Sequence, residues 1–141
     1  MFKTVLLPVN IEDLDVARPA LEKASKLAEA SGAALRLMNV EPIASADYMN
    51  IPELFSRERE EQIEGKLQQI AAKFFVPRER VSWAARNGGV YHEILAEAEE
   101  WGADLIVLGS HRPSMATYLF GSNAKSVARH AKCSVLIVHE Q

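Results

Sequence analysis

The residues able to do chemistry cluster in one stretch, LIVLGSHRPSMATYLFGSNAKSVARHAKCSVLIV, from Leu105 to Val138. Gly109, Ser110, His111, Arg112 and Ser114 follow a short apolar run, and Gly121-Ser122-Asn123 precedes a helical pattern from Ala124 to His130. A glycine and a hydroxyl at a helix start present unpaired N–H groups at the positive end of the helix dipole. That pairing suits an anion such as phosphate. An arginine nearby adds the planar fork that grips phosphate oxygens two at a time. Plainer roles stay open for the same residues. Ser122 serves equally as an N-cap, which any helix can use. Arg112 and His111 serve equally as solvated loop residues.

The remaining reactive side chains point elsewhere. His92, His111, His130 and His139 stand at no metal-ligand spacing from one another, from Cys133 or from a carboxylate, so no metal site is expected. His130 falls near a helix C-terminus, where a partial positive charge is favoured. Cys133 opens the last strand and reads as a small buried residue with no base beside it. Tyr118, Leu119 and Phe120 read as core or dimer contacts, and Ser114 and Thr117 as ordinary loop residues. No carboxylate follows Gly109 in a place to act as a general base, so fast catalysis is not expected.

These residues need elements to hold them. Leu105-Ile106-Val107-Leu108 has no polar interruption, as in a parallel strand buried on both faces. Earlier strands are expected over 2–9, 34–40 and 81–85, and a last one over 134–139. Helices are expected from about Val16 to Ser31, from about Pro52 to Phe74 and from about Val90 to Trp101. Asp13 and Asp15 are the capping candidates of the first. Pro19 is tolerable only within its first turn, and Gly32 stops it. Ile63, Leu67, Ile70 and Phe74 mark a buried stripe on the second, while the charged run from Arg57 to Glu61 reads as its solvated face. Residues 41–51 form a long loop between prolines, and Asn87-Gly88-Gly89 signals a turn.

Strands and helices therefore alternate five and four times. That order predicts an α/β fold, an open, doubly wound sheet of five parallel strands. Ligands in such sheets sit outside the carboxyl ends of the strands, where the winding reverses. With the first and fourth strands adjacent there, Pro8 to Asn10 and Gly109 to Ser122 line one crevice.

The totals agree with a single domain over 1–141. The chain has 141 residues, 48% hydrophobic and 25% charged. Its net charge of −3 argues against a general nucleic-acid binder. One cysteine allows no internal disulfide. No apolar run reaches membrane-spanning length, and the opening goes straight into a strand pattern, so no signal peptide is expected. A cytoplasmic location is expected.

Three segments carry a resemblance to the universal stress protein family along nearly the whole chain. They are Val5-Leu6-Leu7-Pro8-Val9-Asn10, the run from Gly102 to Ser110, and the ending from Gly121 through Val138. Nucleotide-binding members carry G-x2-G-x9-G-[ST] in this region. Gly109 matches the first glycine and Gly121-Ser122 the last pair. Arg112 stands for the middle glycine, the span is one residue short, and Asn10 replaces the usual aspartate. His111-Arg112-Pro113, with Thr117-Tyr118-Leu119, resembles a subgroup whose altered loop still holds ATP.

The resemblance implies an adenine-nucleotide alpha hydrolase-like fold and ATP, with or without Mg2+, as ligand. Pro8, Val9 and Asn10 would wall the adenosine side, and the Val40 backbone would meet the adenine edge. Gly109, Ser110, His111 and Arg112 would approach ribose and phosphates. Gly121, Ser122 and Asn123 would cradle the phosphates. The resemblance also implies a homodimer through Ser134 to His139, extending in some cases to a tetramer, with no nucleic-acid or membrane partner. The functional expectation is a nucleotide-gated stress protein. The other readings are a dimeric interaction protein of the same family that has lost nucleotide, and a slow ATPase.

Overall fold

In the computed structural model of the chain, residues 1–42, 52–73, 76–109 and 115–139 are described, without the side chains of 52–56 and 115–122. Ten elements follow in order: β1 (Thr4–Pro8), α1 (Leu14–Ser31), β2 (Ala34–Glu41), α2 (Pro52–Ala71), a 3-10 turn (Arg78–Arg80), β3 (Val81–Asn87), α3 (Val90–Trp101), β4 (Leu105–Gly109), α4 (Met115–His130) and β5 (Ser134–Val138). The strands form one parallel sheet in the order β3-β2-β1-β4-β5. The expected doubly wound α/β sheet is the one observed.

Alternation along the central strands sorts the core into two layers. Val5, Leu7, Leu35, Leu37, Leu105 and Val107 pack under α1 and α2. Leu6, Met38, Ile106 and Leu108 pack under α3 and α4. Both faces of β1 and β4 are thus buried, which explains their unbroken apolar runs. Each such side chain, fully taken from water, contributes roughly 1.5–3 kcal/mol. Ile63, Leu67 and Ile70 bury on α2 as expected, and Phe74 lies outside the described residues.

Several boundaries move. Asp13 caps α1, its carboxylate accepting from the Val16 N–H at 3.4 Å, so the helix starts at Leu14. Pro19 then sits in the second turn, where it deletes one intrahelical donor. Gly32 ends the helix in the left-handed conformation at φ 67°, as its lack of a Cβ allows. β1 is shorter than 2–9, and β3 runs on to Asn87.

The largest correction is α4, which begins at Met115 instead of Ala124. Thr117 to Asn123, read as loop and helix start, lie inside it. The residues Met115-Ala116 and Leu119-Phe120 are compatible with helix. A single Gly121 within it costs only about 1 kcal/mol against alanine, too little to stop the helix.

Candidate functional site

The winding reverses between β1 and β4. The crossovers through α1 and α2 run on one face and those through α3 and α4 on the other. At the amino ends these two strands are clasped tightly. The Asp104 carboxylate accepts the Lys3 N–H at 2.8 Å and the Thr4 N–H at 3.1 Å. The Thr4 hydroxyl donates to the Gly102 carbonyl at 2.8 Å.

Toward the carboxyl ends the clasp is released. β1 and β4 are in register only at Val5–Leu105 and Leu6–Ile106, although both strands run further. Proline explains this. The Val9 N–H reaches the Met38 carbonyl at 2.7 Å, so odd positions of β1 direct their N–H groups at β2. Pro8 faces β4, and it has no N–H to give. Beyond Leu6–Ile106 the ladder therefore stops, leaving Pro8, Val9 and Asn10 on one strand and Gly109 on the other without backbone pairing between them.

The turn after β1 is held from within. The Asn10 carboxamide oxygen accepts the Glu12 N–H at 3.0 Å, and the Asn10 carbonyl accepts the Asp13 N–H at 3.1 Å. This is an Asx turn, which aspartate would make equally well. Beneath it, Asn39 is 5% exposed, and its side-chain oxygen accepts from the Ile11 N–H at 3.5 Å. Sequence reasoning missed Asn39. The signal was present: a lone amide in ALRLMNV, where a buried polar group must find a partner.

Val40 stands beside this turn, opposite Arg86 of β3. The next residue, Glu41, accepts the Gly88 N–H on its carbonyl at 3.0 Å. Its carboxylate takes Arg59 of α2 at 3.3 Å, and Arg59 also reaches Glu12 at 3.0 Å. One guanidinium thus ties α2 to the end of β2 and to the turn that follows β1. Burial works against the Arg59 charge, but hydrogen bonds to Glu12 and Glu41 outweigh it and hold its pKa above the ordinary value. Sequence reading took this charged run as solvent-facing, and Arg59 is the residue in it that turns inward.

The expected phosphate side divides. Gly109 ends β4, buried, opposite Val138. Ser110, His111 and Arg112 lie outside the described residues. Gly121, Ser122 and Asn123 lie within α4, so the helix N-terminus is at Met115 and not at Gly121. Asn123 has a task there. Its side-chain oxygen accepts the Tyr91 N–H at 3.0 Å. That donor belongs to the first turn of α3, whose N-cap, Gly89, has no side chain to cap with. Among the described residues no group of three or more His, Cys, Asp or Glu is placed to hold a metal ion.

The universal stress protein family model matches residues 1–139. The chain belongs to the universal stress protein family. Universal stress protein G of Escherichia coli O157:H7 is 36% identical over 146 residues, covering 98% of this chain and 99% of that protein. Universal stress protein A homolog 2 of Coxiella burnetii is 28% identical, covering 97% and 94%. Among solved structures, a universal stress protein in complex with cAMP superposes with a TM-score of 0.71 at 24% identity, covering 99% of both chains. UspA from Lactobacillus plantarum superposes with a TM-score of 0.70 at 23% identity, covering 96% of this chain and 97% of that one. These likenesses share the fold, a five-stranded parallel sheet flanked by helices. No helix among the described residues is long and apolar enough to cross a membrane.

Proposed function

We propose that this member of the family is an ATP-binding, nucleotide-gated stress-response protein without fast catalysis. The observation that carries the reading is the interrupted β1–β4 ladder at the switch point, where Pro8 has no N–H to give to β4. A similar fold in the family holds cAMP, and open α/β sheets take ligands at this place.

Pro8, Val9 and Asn10 wall the adenosine, and the Val40 backbone meets the adenine edge. Gly109, Ser110, His111 and Arg112 approach ribose and phosphates, as in the subgroup with His-Arg-Pro in this loop. Gly121, Ser122 and Asn123 take the phosphates once the first turns of α4 open, because a helical N–H is already spent on a carbonyl. Binding therefore trades helix for phosphate contacts, and that exchange is the gate. Asn10 brings no negative charge for Mg2+. The site chemistry is neutral amide and backbone on the nucleoside side, cation and N–H on the phosphate side.

The gated unit is a homodimer through β5. β5 is an edge strand, with Leu136 36% exposed and Val135 and Ile137 half-buried, and such an edge calls for a partner. The cytoplasm is its place of action.

Two observations favour a second reading. Gly121 and Ser122 sit inside a helix, and Asn10 lacks the usual charge, so the chain would act as a dimeric interaction protein without nucleotide. The purified protein separates the two. Denaturation followed by mass spectrometry of released small molecules, with calorimetric titration of ATP·Mg, is expected to show adenine nucleotide or saturable near-stoichiometric binding. Neither nucleotide nor heat at high ATP would move the function to the dimer alone.

A further inference from the structure

A second concavity lies at the other end of the sheet. It is about 360 Å³, between the C-terminal turns of α3 and α4 and over the start of β4. Small-molecule sites run from about 300 to 1,000 Å³. The concavity exists because the helices meet there through small residues. Ala98, Ala103, Ala131, Leu95, Ile106 and Cys133 supply its apolar lining.

Glu99, His130 and Lys132 also line it. Lys132 Nζ and Glu99 Oε1 stand 3.6 Å apart, with side chains 86% and 72% exposed. So open a pair is held weakly and parts readily. A lone carboxylate entering the mouth would be repelled by Glu99, and a lone amine by Lys132. A ligand carrying both charges beside an apolar body satisfies each. We infer that this concavity binds a free apolar α-amino acid, its carboxylate on Lys132, its ammonium on Glu99 and its side chain on the apolar floor. The site is distinct from the carboxyl edge of the sheet and does not depend on nucleotide binding.

Cys133 supplies the reporter, because it is the only cysteine in the chain. The full-length protein is labelled with a chromogenic disulfide reagent while L-phenylalanine or L-leucine is titrated. Saturable slowing of labelling is expected. Phenethylamine and 3-phenylpropionate, which lack one charge each, should bind at least about tenfold more weakly. Lys132→Glu should abolish protection, and adding Glu99→Lys to it should restore protection by reversing the pair. Ala98→Phe, filling the space, should abolish protection in a protein whose circular dichroism is unchanged. No saturable slowing by either amino acid overturns the inference, as does equal slowing by 3-phenylpropionate. Labelling that slows with protein concentration alone would assign the concavity to a second copy, and overturns it also.

Discussion

The Asn123 side-chain oxygen caps the neighbouring helix by accepting the Tyr91 N–H at 3.0 Å. A residue expected on phosphate thus fastens α4 to the first turn of α3. Asn123→Ala should cost about 1 kcal/mol, the usual value of a lost cap, and Asn123→Asp should recover most of it. Urea unfolding midpoints at constant slope check this. An alanine variant as stable as the parent would remove the cap from the account.

Gly121 tests the gate. In α4 it is a helical residue with no Cβ. Gly121→Ala should stabilise the helix by about 1 kcal/mol and weaken ATP binding by roughly fivefold or more, since 1.4 kcal/mol is tenfold. Titration of ATP into the parent should lower the helical circular dichroism signal, and titration into the variant should lower it less at equal ATP. Unchanged affinity in Gly121→Ala would mean that α4 does not open.

Arg59 bridges Glu41 and Glu12 at 3.3 and 3.0 Å, joining α2 to the end of β2 beside Val40 and to the turn after β1 that holds Asn10. Arg59→Ala should lower stability by only about 1 kcal/mol, because the pairs are partly in water. Its effect on ATP affinity should be larger than its effect on unfolding, since it frees the adenosine wall. Calorimetric binding and thermal melting of the same preparation compare the two. Arg59→Lys should restore stability better than affinity, because an ammonium cannot span both carboxylates as the fork does.

Burial is the main reason that the Cys133 thiol ionises above its ordinary value, and the charge of Asp104 adds to it. Alkylation rates should therefore rise at a higher pH than for a free thiol. The stability contribution follows the same sign. A thiol that holds its proton more tightly when folded adds stability that is full below the unfolded pKa. That share is lost as pH rises through the folded value. Cys133→Ser should flatten the alkaline end of the stability curve, and a profile parallel to the parent's would refute the assignment.

Period and punctuation made most of the fold legible in the chain. Unbroken runs such as Leu105 to Leu108 and the three- and four-residue spacing of Ile63, Leu67 and Ile70 report burial directly, because each strand or helix repeats its own geometry. Gly32 and Gly102 end their helices at φ 67° and 83°, where a Cβ is disfavoured. The early end of the β1–β4 ladder was partly readable, since Pro8 carries its missing donor wherever it goes. The start of α4 was not. Gly121-Ser122 is as good a helix start as a helix interior, and local preference separates the two by no more than about 1 kcal/mol.

What the amino-acid order settled alone was the alternation of elements, the two-faced core and the family ending. What needed the third dimension was which side chains meet across elements. Asn39 under the β1 turn, Arg59 between Glu41 and Glu12, Asp104 on Lys3 and Thr4, and Asn123 on Tyr91 all join residues far apart in the chain. Such hydrogen bonds depend on distance and direction in the folded molecule, and a one-dimensional pattern records neither.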